Sequence, residues 1–131
     1  MRSYPNGAST SFGYHDLDPA SGDATTRLKL LAHANASETL AHIEYAYHVG
    51  GLRKSELRQS PGSSDESRTY DYDAMSRLVR SKTSKGVDLE EREYGYLGQM
   101  RTSQKVYSGL TRELTEDLEY KYDDALRMRE I

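Results

Sequence analysis

A pair of aromatic residues two positions apart recurs five times in this chain, at Phe12/Tyr14, Tyr45/Tyr47, Tyr70/Tyr72, Tyr94/Tyr96 and Tyr120/Tyr122. After each pair comes a polar or turn-prone stretch and then an arginine: Arg27, Arg53, Arg77, Arg101 and Arg127, spaced 26, 24, 24 and 26 residues apart. Nine of the eleven tyrosines belong to this pattern, and Tyr4 and Tyr107 stand outside it. Self-similarity at so even a period points to a repeated supersecondary unit, and that constrains the fold more than any other feature.

The period within each unit says what the unit is. Tyr-x-Tyr places two rings on one face of an extended strand, because side chains alternate with period two. The same parity runs back through Ile43-Tyr45-Tyr47 and Leu118-Tyr120-Tyr122, while His42, Glu44 and His48, or Asp117, Glu119 and Lys121, fall on the other face. That alternation describes a half-buried strand with one wet side. A helix competes at Leu110, Leu114 and Leu118, which are four apart, and over the helix formers of 88–93. Register with the other units favours strand there, since Leu118 then joins the tyrosine face.

Turn chemistry follows each pair. Asp73 and Asp123 open stretches in which a carboxylate can accept from backbone N–H groups two or so residues on. His48-Val49-Gly50-Gly51-Leu52-Arg53 supplies glycine where a left-handed residue closes a short hairpin. Return strands are expected from Arg77-Leu78-Val79-Arg80 and from Arg101 to Tyr107. Looser stretches such as Ser60-Pro61-Gly62-Ser63-Ser64 read as connections. The expected fold is all-β: tandem hairpins in a curved, open antiparallel sheet. One repeat array spans 1–131, in units 4–34, 35–59, 60–84, 85–110 and 111–131.

Composition decides whether such an array can fold. Leu, Ile, Val and Phe supply 21 of the 131 residues, a fraction that warns of disorder when net charge is high. Here the net charge is −3, and the tyrosines carry area that aliphatics would otherwise bury. That charge gives no electrostatic case for nucleic acid as a partner. No stretch is apolar for long enough to span a membrane as a helix, and the first residues show no signal-peptide pattern. The absence of cysteine excludes disulfides, a thiol nucleophile and thiolate metal sites.

Tyr70-Asp71-Tyr72-Asp73-Ala74-Met75-Ser76-Arg77-Leu78 resembles the YD repeat of Rhs proteins, teneurins and toxin-complex shell components, whose unit runs roughly Tyr-x-Tyr-Asp-x-x-Gly-Arg-Leu. Ser76 stands in the glycine place. Tyr120 to Met128 matches with Leu126 for glycine and Met128 for leucine. Tyr94 to Met100 lacks the aspartate, having Leu97, and the first unit carries an apparent insertion at 18–23. Tyr4-Pro5-Asn6-Gly7 is similar to a phrase between Rhs units. The resemblance implies a ribbon of β-hairpins that spirals into a hollow shell around a cargo, often a toxin. Implied partners are other repeats of a longer chain, copies of this chain paired at open edges, a toxin cargo or glycans. The implied location is secreted or at the cell surface.

Candidate chemistry is sparse. His15, His33, His42 and His48 lie beside turns or on strand faces and do not form a ligand set by spacing. The carboxylates of Asp65/Glu66, Glu90/Glu91/Glu93 and Glu116/Asp117 read as a solvated face. Acid–base work needs two carboxylates converging in a cleft. Neither a nucleophile elbow nor a phosphate-cradling glycine loop occurs. Asn35-Ala36-Ser37 fits the N-glycosylation triplet. The expectation is a non-catalytic structural repeat segment without cofactor or metal. Its site residues are the repeat positions Phe12, Tyr14, Arg27, Tyr45, Tyr47, Arg53, Tyr70, Tyr72, Asp73, Arg77, Tyr94, Tyr96, Arg101, Tyr120, Tyr122, Asp123 and Arg127, with the tyrosine side buried. The alternative is a stand-alone module that binds glycans or protein through an exposed tyrosine row.

Overall fold

The computed structural model describes residues 1–5, 7–15, 27–123 and 127–130. The apparent insertion at 18–23 and residues 124–126 of the last turn lie outside the described residues. Among the described residues twelve strands occur in chain order: β1 (Arg2–Ser3), β2 (Ser9–Tyr14), β3 (Leu28–Ala34), β4 (Thr39–Tyr47), β5 (Arg53–Gln59), β6 (Glu66–Tyr72), β7 (Leu78–Lys85), β8 (Asp88–Leu97), β9 (Met100–Ser108), β10 (Glu113–Glu119), β11 (Lys121–Tyr122) and β12 (Met128–Glu130). Strands β1 to β10 follow one another in an open ten-stranded antiparallel sheet, and β11 and β12 form a separate pair. No helix occurs among the described residues, so the stretch from Leu110 to Leu118 is turn and strand.

The chain divides into two compact units, Met1–Arg68 and Thr69–Ile131. In the first unit, β2 pairs with β3, β3 with β4 and β4 with β5, which sets Phe12, Leu31, Ile43 and Arg58 in one row across the strands. In the second, β7 pairs with β8, β8 with β9 and β9 with β10, which sets Tyr94, Gln104 and Leu118 in one row. Leu118 therefore does lie on the tyrosine side.

Hairpins of both units carry a bulge at the same place. The register shifts between Gly13 and Tyr14, Ala46 and Tyr47, Gly95 and Tyr96, and Lys121 and Tyr122. The skipped residues on the return side are Lys29, Lys54, Thr102 and Arg129. An extra residue next to the turn increases local twist and re-aims the neighbouring side chains. Here it brings the second tyrosine and the start of the return strand together.

The core differs from the sequence expectation. Val106 is the one buried hydrophobic side chain among the described residues, and Thr10, Glu56 and Glu91 are the buried polar ones. The paired tyrosines on β4, β6, β8 and at 120–122 are half-buried, while Phe12 and Tyr14 are exposed. Within each unit the described contacts of these rings are to neighbouring strands and turns of the same sheet. The cohesion must then come from the backbone ladder and from cross-strand side-chain pairs.

Candidate functional site

Arginine and tyrosine meet on the tyrosine face in two distinct ways. Arg27 stands 5.5 Å over the Tyr47 ring, and Arg77 stands 4.9 Å over Tyr96. In both, the arginine closes the turn of one hairpin and the ring is the second tyrosine of the next described one along its sheet. Arg53, by contrast, stands 4.8 Å over Tyr45, and Arg101 stands 4.5 Å over Tyr94. These two arginines cover the first tyrosine of their own hairpin.

The bulges explain the split. Arg53 and Arg101 lie directly opposite Tyr47 and Tyr96, inside the hairpin, so they lean diagonally onto the first ring. Arg27 and Arg77 instead supply the last carbonyl of the turn, to which the backbone N–H groups of His15 and Asp73 donate. From there each reaches forward. Arg27 Nη1 donates to the His48 carbonyl at 3.3 Å, and Arg77 Nη1 donates to the Gly98 carbonyl. The tyrosines return the contact: Tyr47 Oη donates to the Leu28 carbonyl and Tyr96 Oη to the Leu78 carbonyl, each at 2.8 Å. Tyr122 Oη donates likewise to the Arg101 carbonyl at 2.7 Å.

The Asp73 turn shows why aspartate opens these units. One carboxylate oxygen accepts from the Met75 and Arg77 backbone N–H groups at 2.9 and 3.0 Å, and the other accepts from Arg77 Nε at 2.7 Å. These bonds, the Arg77 side chain first, hold the Asp73 carboxyl below its ordinary range. Asp123 repeats the arrangement with Arg127, whose backbone N–H and Nε each donate at 2.9 Å. His48 takes the aspartate place in the β4–β5 turn, and its N–H donates to the Leu52 carbonyl. Leu52, and not Arg53, is thus the counterpart of Arg77.

A second cluster lies on the other face. Glu91 is 7 % exposed and accepts from Lys82 Nζ at 2.9 Å and from Arg112 Nη2 at 2.9 Å. Burial pushes its carboxyl up, and the bonds from Lys82 and Arg112 outweigh that, so the net displacement is downward. Arg112 also pairs with Glu93 and stands 4.2 Å over the Tyr107 ring. The sequence reading of Glu91 as part of a solvated face is corrected here. Strand alternation sends Glu91 toward β7 and the β9–β10 turn, while Glu90 pairs with exposed Arg92. Glu56 is likewise buried, held on the tyrosine face between Arg53 and Arg58.

The histidines serve separate local roles. His33 Nδ1 shares a 2.7 Å bond with buried Thr10, and His42 bonds Glu44 at 2.9 Å. His15 Nε2 donates to the Tyr45 carbonyl at 3.3 Å and its ring meets Tyr47 edge-on. Among the described residues no group of three His, Asp or Glu side chains could hold a metal ion. Asn35 uses its side-chain oxygen to cap the β3–β4 turn, accepting from Ser37 and Glu38 N–H groups at 2.9 and 2.8 Å.

Fold and contacts together define a class: an all-β sheet of sequential strands whose hairpins are interlocked by arginine–tyrosine pairs. No family model and no curated protein matches this chain.

Proposed function

We propose that this chain is a non-catalytic structural repeat segment of Rhs/YD type, contributing to a larger β-shell that encloses or presents a cargo. The observation that carries the reading is the forward lock: Arg27 onto Tyr47 and the His48 carbonyl, and Arg77 onto Tyr96 and the Gly98 carbonyl. A device that, once in each unit, ties a hairpin to the next suits an array made to extend. The Tyr-x-Tyr…Arg pattern and its likeness to the YD repeat supply the rest, including the secreted or cell-surface location.

Sugar recognition finds less support. A carbohydrate would stack on free ring faces and bond free hydroxyls. At Tyr47 and Tyr96 an arginine covers the ring and a backbone carbonyl takes the hydroxyl proton.

The test is the size of the native particle, read by size-exclusion chromatography of producing-cell extract with an antibody to this segment. A species far above 14.9 kDa is expected. A lone 14.9 kDa species, with binding to a glycan array, would overturn the reading in favour of a binding module.

A further inference from the structure

The Asn35-Ala36-Ser37 triplet is a motif that the repeat reading leaves unused. It forms the tip of the β3–β4 hairpin, where the Asn35 N–H donates to the Glu38 carbonyl at 2.9 Å. The Asn35 side chain folds over the same turn. Its Oδ1 accepts from the Ser37 N–H at 2.9 Å, the Glu38 N–H at 2.8 Å and the Ser37 hydroxyl at 3.2 Å. Asparagine suits the place because its short side chain reaches backbone donors two and three residues on. All three bonds fall on the oxygen, and Nδ2 takes part in none of them.

That arrangement bears on the chemistry of the amide. An amide nitrogen is a poor nucleophile because it shares its lone pair with the carbonyl. Donors gathered on Oδ1 stabilise negative charge there, so an Nδ2 proton is given up more easily and the nitrogen is left able to attack. The Ser37 hydroxyl is one of those donors, which gives the third place of the triplet a part in the reaction.

The surroundings leave room for a bulky group. Ala36, Ser37 and Glu38 are exposed. Thr39, where β4 begins, lines an open hollow of about 320 Å³ with His42, Gln59, Ser60 and Pro61, all within the first unit. A sugar joined at the hairpin tip therefore finds space and hydrogen-bonding side chains beside it, and no strand pairing has to open.

We propose that Asn35 is the acceptor of an N-linked glycan. The donor is a sugar carried on a diphosphate, esterified either to a lipid or to a nucleoside. Asn35 Nδ2 attacks the anomeric carbon. The new N–C bond forms as the C–O bond to the phosphate breaks, the diphosphate leaves with the electron pair, and the Nδ2 proton passes to a base of the transferase. The product is a glycan on an exposed turn, the usual setting for such a group.

Mass spectrometry of the protein captured from producing cells tests it, through the tryptic peptide 30–53. The peptide is expected to carry one or more hexose or N-acetylhexosamine residues on Asn35. Release by peptide N-glycosidase, leaving aspartate at 35, would mark a lipid-linked donor. A single hexose that resists the enzyme would mark a nucleotide sugar. Asn35→Asp keeps an oxygen for the turn and lacks the amide nitrogen, so it should fold and lose the modification entirely. Ser37→Ala should lose it as well, and Ser37→Thr should retain it. A wild-type peptide found only unmodified would overturn the proposal, as would a modification that persists in Asn35→Asp or is unchanged in Ser37→Ala. A large native particle with Asn35 unmodified sinks this inference alone and leaves the reading of function standing.

Discussion

The Arg77 guanidinium lies 4.9 Å over the ring of Tyr96, and the hydroxyl of that tyrosine donates at 2.8 Å to the carbonyl of Leu78, the residue after Arg77. One short stretch thus grips the next hairpin through both the face and the tip of a single ring. With Val106 the one buried hydrophobic side chain among the described residues, such grips take the place of a core. A cation over an exposed ring is worth roughly 0.5–1 kcal/mol, so several must act together.

Tyr96→Phe separates the tip from the face. The ring and its arginine stay, while the Leu78 carbonyl loses its partner. The expected cost is about 1 kcal/mol in urea denaturation. An unchanged midpoint would show that the hydroxyl bond contributes nothing.

Ser76 adopts φ 62° at the place where the repeat resembled by this chain has glycine, and Gly51 adopts φ 90° in the corresponding turn. A left-handed conformation costs an L-residue roughly 1–2 kcal/mol, and glycine returns part of that through its freer unfolded chain, roughly 0.5–1 kcal/mol. Ser76→Gly should therefore raise the melting temperature slightly.

Gly51→Ala should do the reverse. Its Cβ would stand 2.8 Å from Arg27 Nη2, against the guanidinium that locks the two hairpins. The added strain at positive φ is about 1–3 kcal/mol. A thermal melt equal to wild type would show that Arg27 moves aside without loss.

Much of this fold was legible in the sequence because strand parity is a local property. Tyr45/Tyr47 and Tyr94/Tyr96 announce their strands, and Asp73 announces its turn. The partner of each arginine was not legible. Arg53 and Arg77 look equivalent at a spacing of 24 residues, yet one covers its own hairpin and the other reaches the next. The difference lies in whether the arginine falls in the turn or one residue past it, opposite the second tyrosine. A bulge and a turn length set that, and residue type does not reveal either. The buried acids were hidden for a similar reason. Glu91 looks solvated among charged neighbours until pairing with β7 brings Lys82 against it, and Arg112 reaches it from a turn beyond β9.

Acid should unlock that second cluster, and the direction follows from the displaced carboxyl. Glu91 lies below its ordinary value in the folded chain, so the unfolded state takes up its proton first as pH falls. The stabilisation is complete above the unfolded value, about 4.3, and is lost as pH drops through the lower folded value. Asp73, displaced the same way by Arg77, adds to the loss over the neighbouring range. Unfolding midpoints in urea should hence be flat from neutral pH down to about 5 and fall below that. Glu91→Gln keeps the shape and removes the titration. It should lower stability at pH 7 by about 1–3 kcal/mol, since Lys82 and Arg112 lose a charged acceptor, and it should flatten the acid limb. A Glu91→Gln variant whose acid limb is as steep as wild type would place the titration elsewhere, with Asp73→Asn the next substitution to separate the two carboxyls.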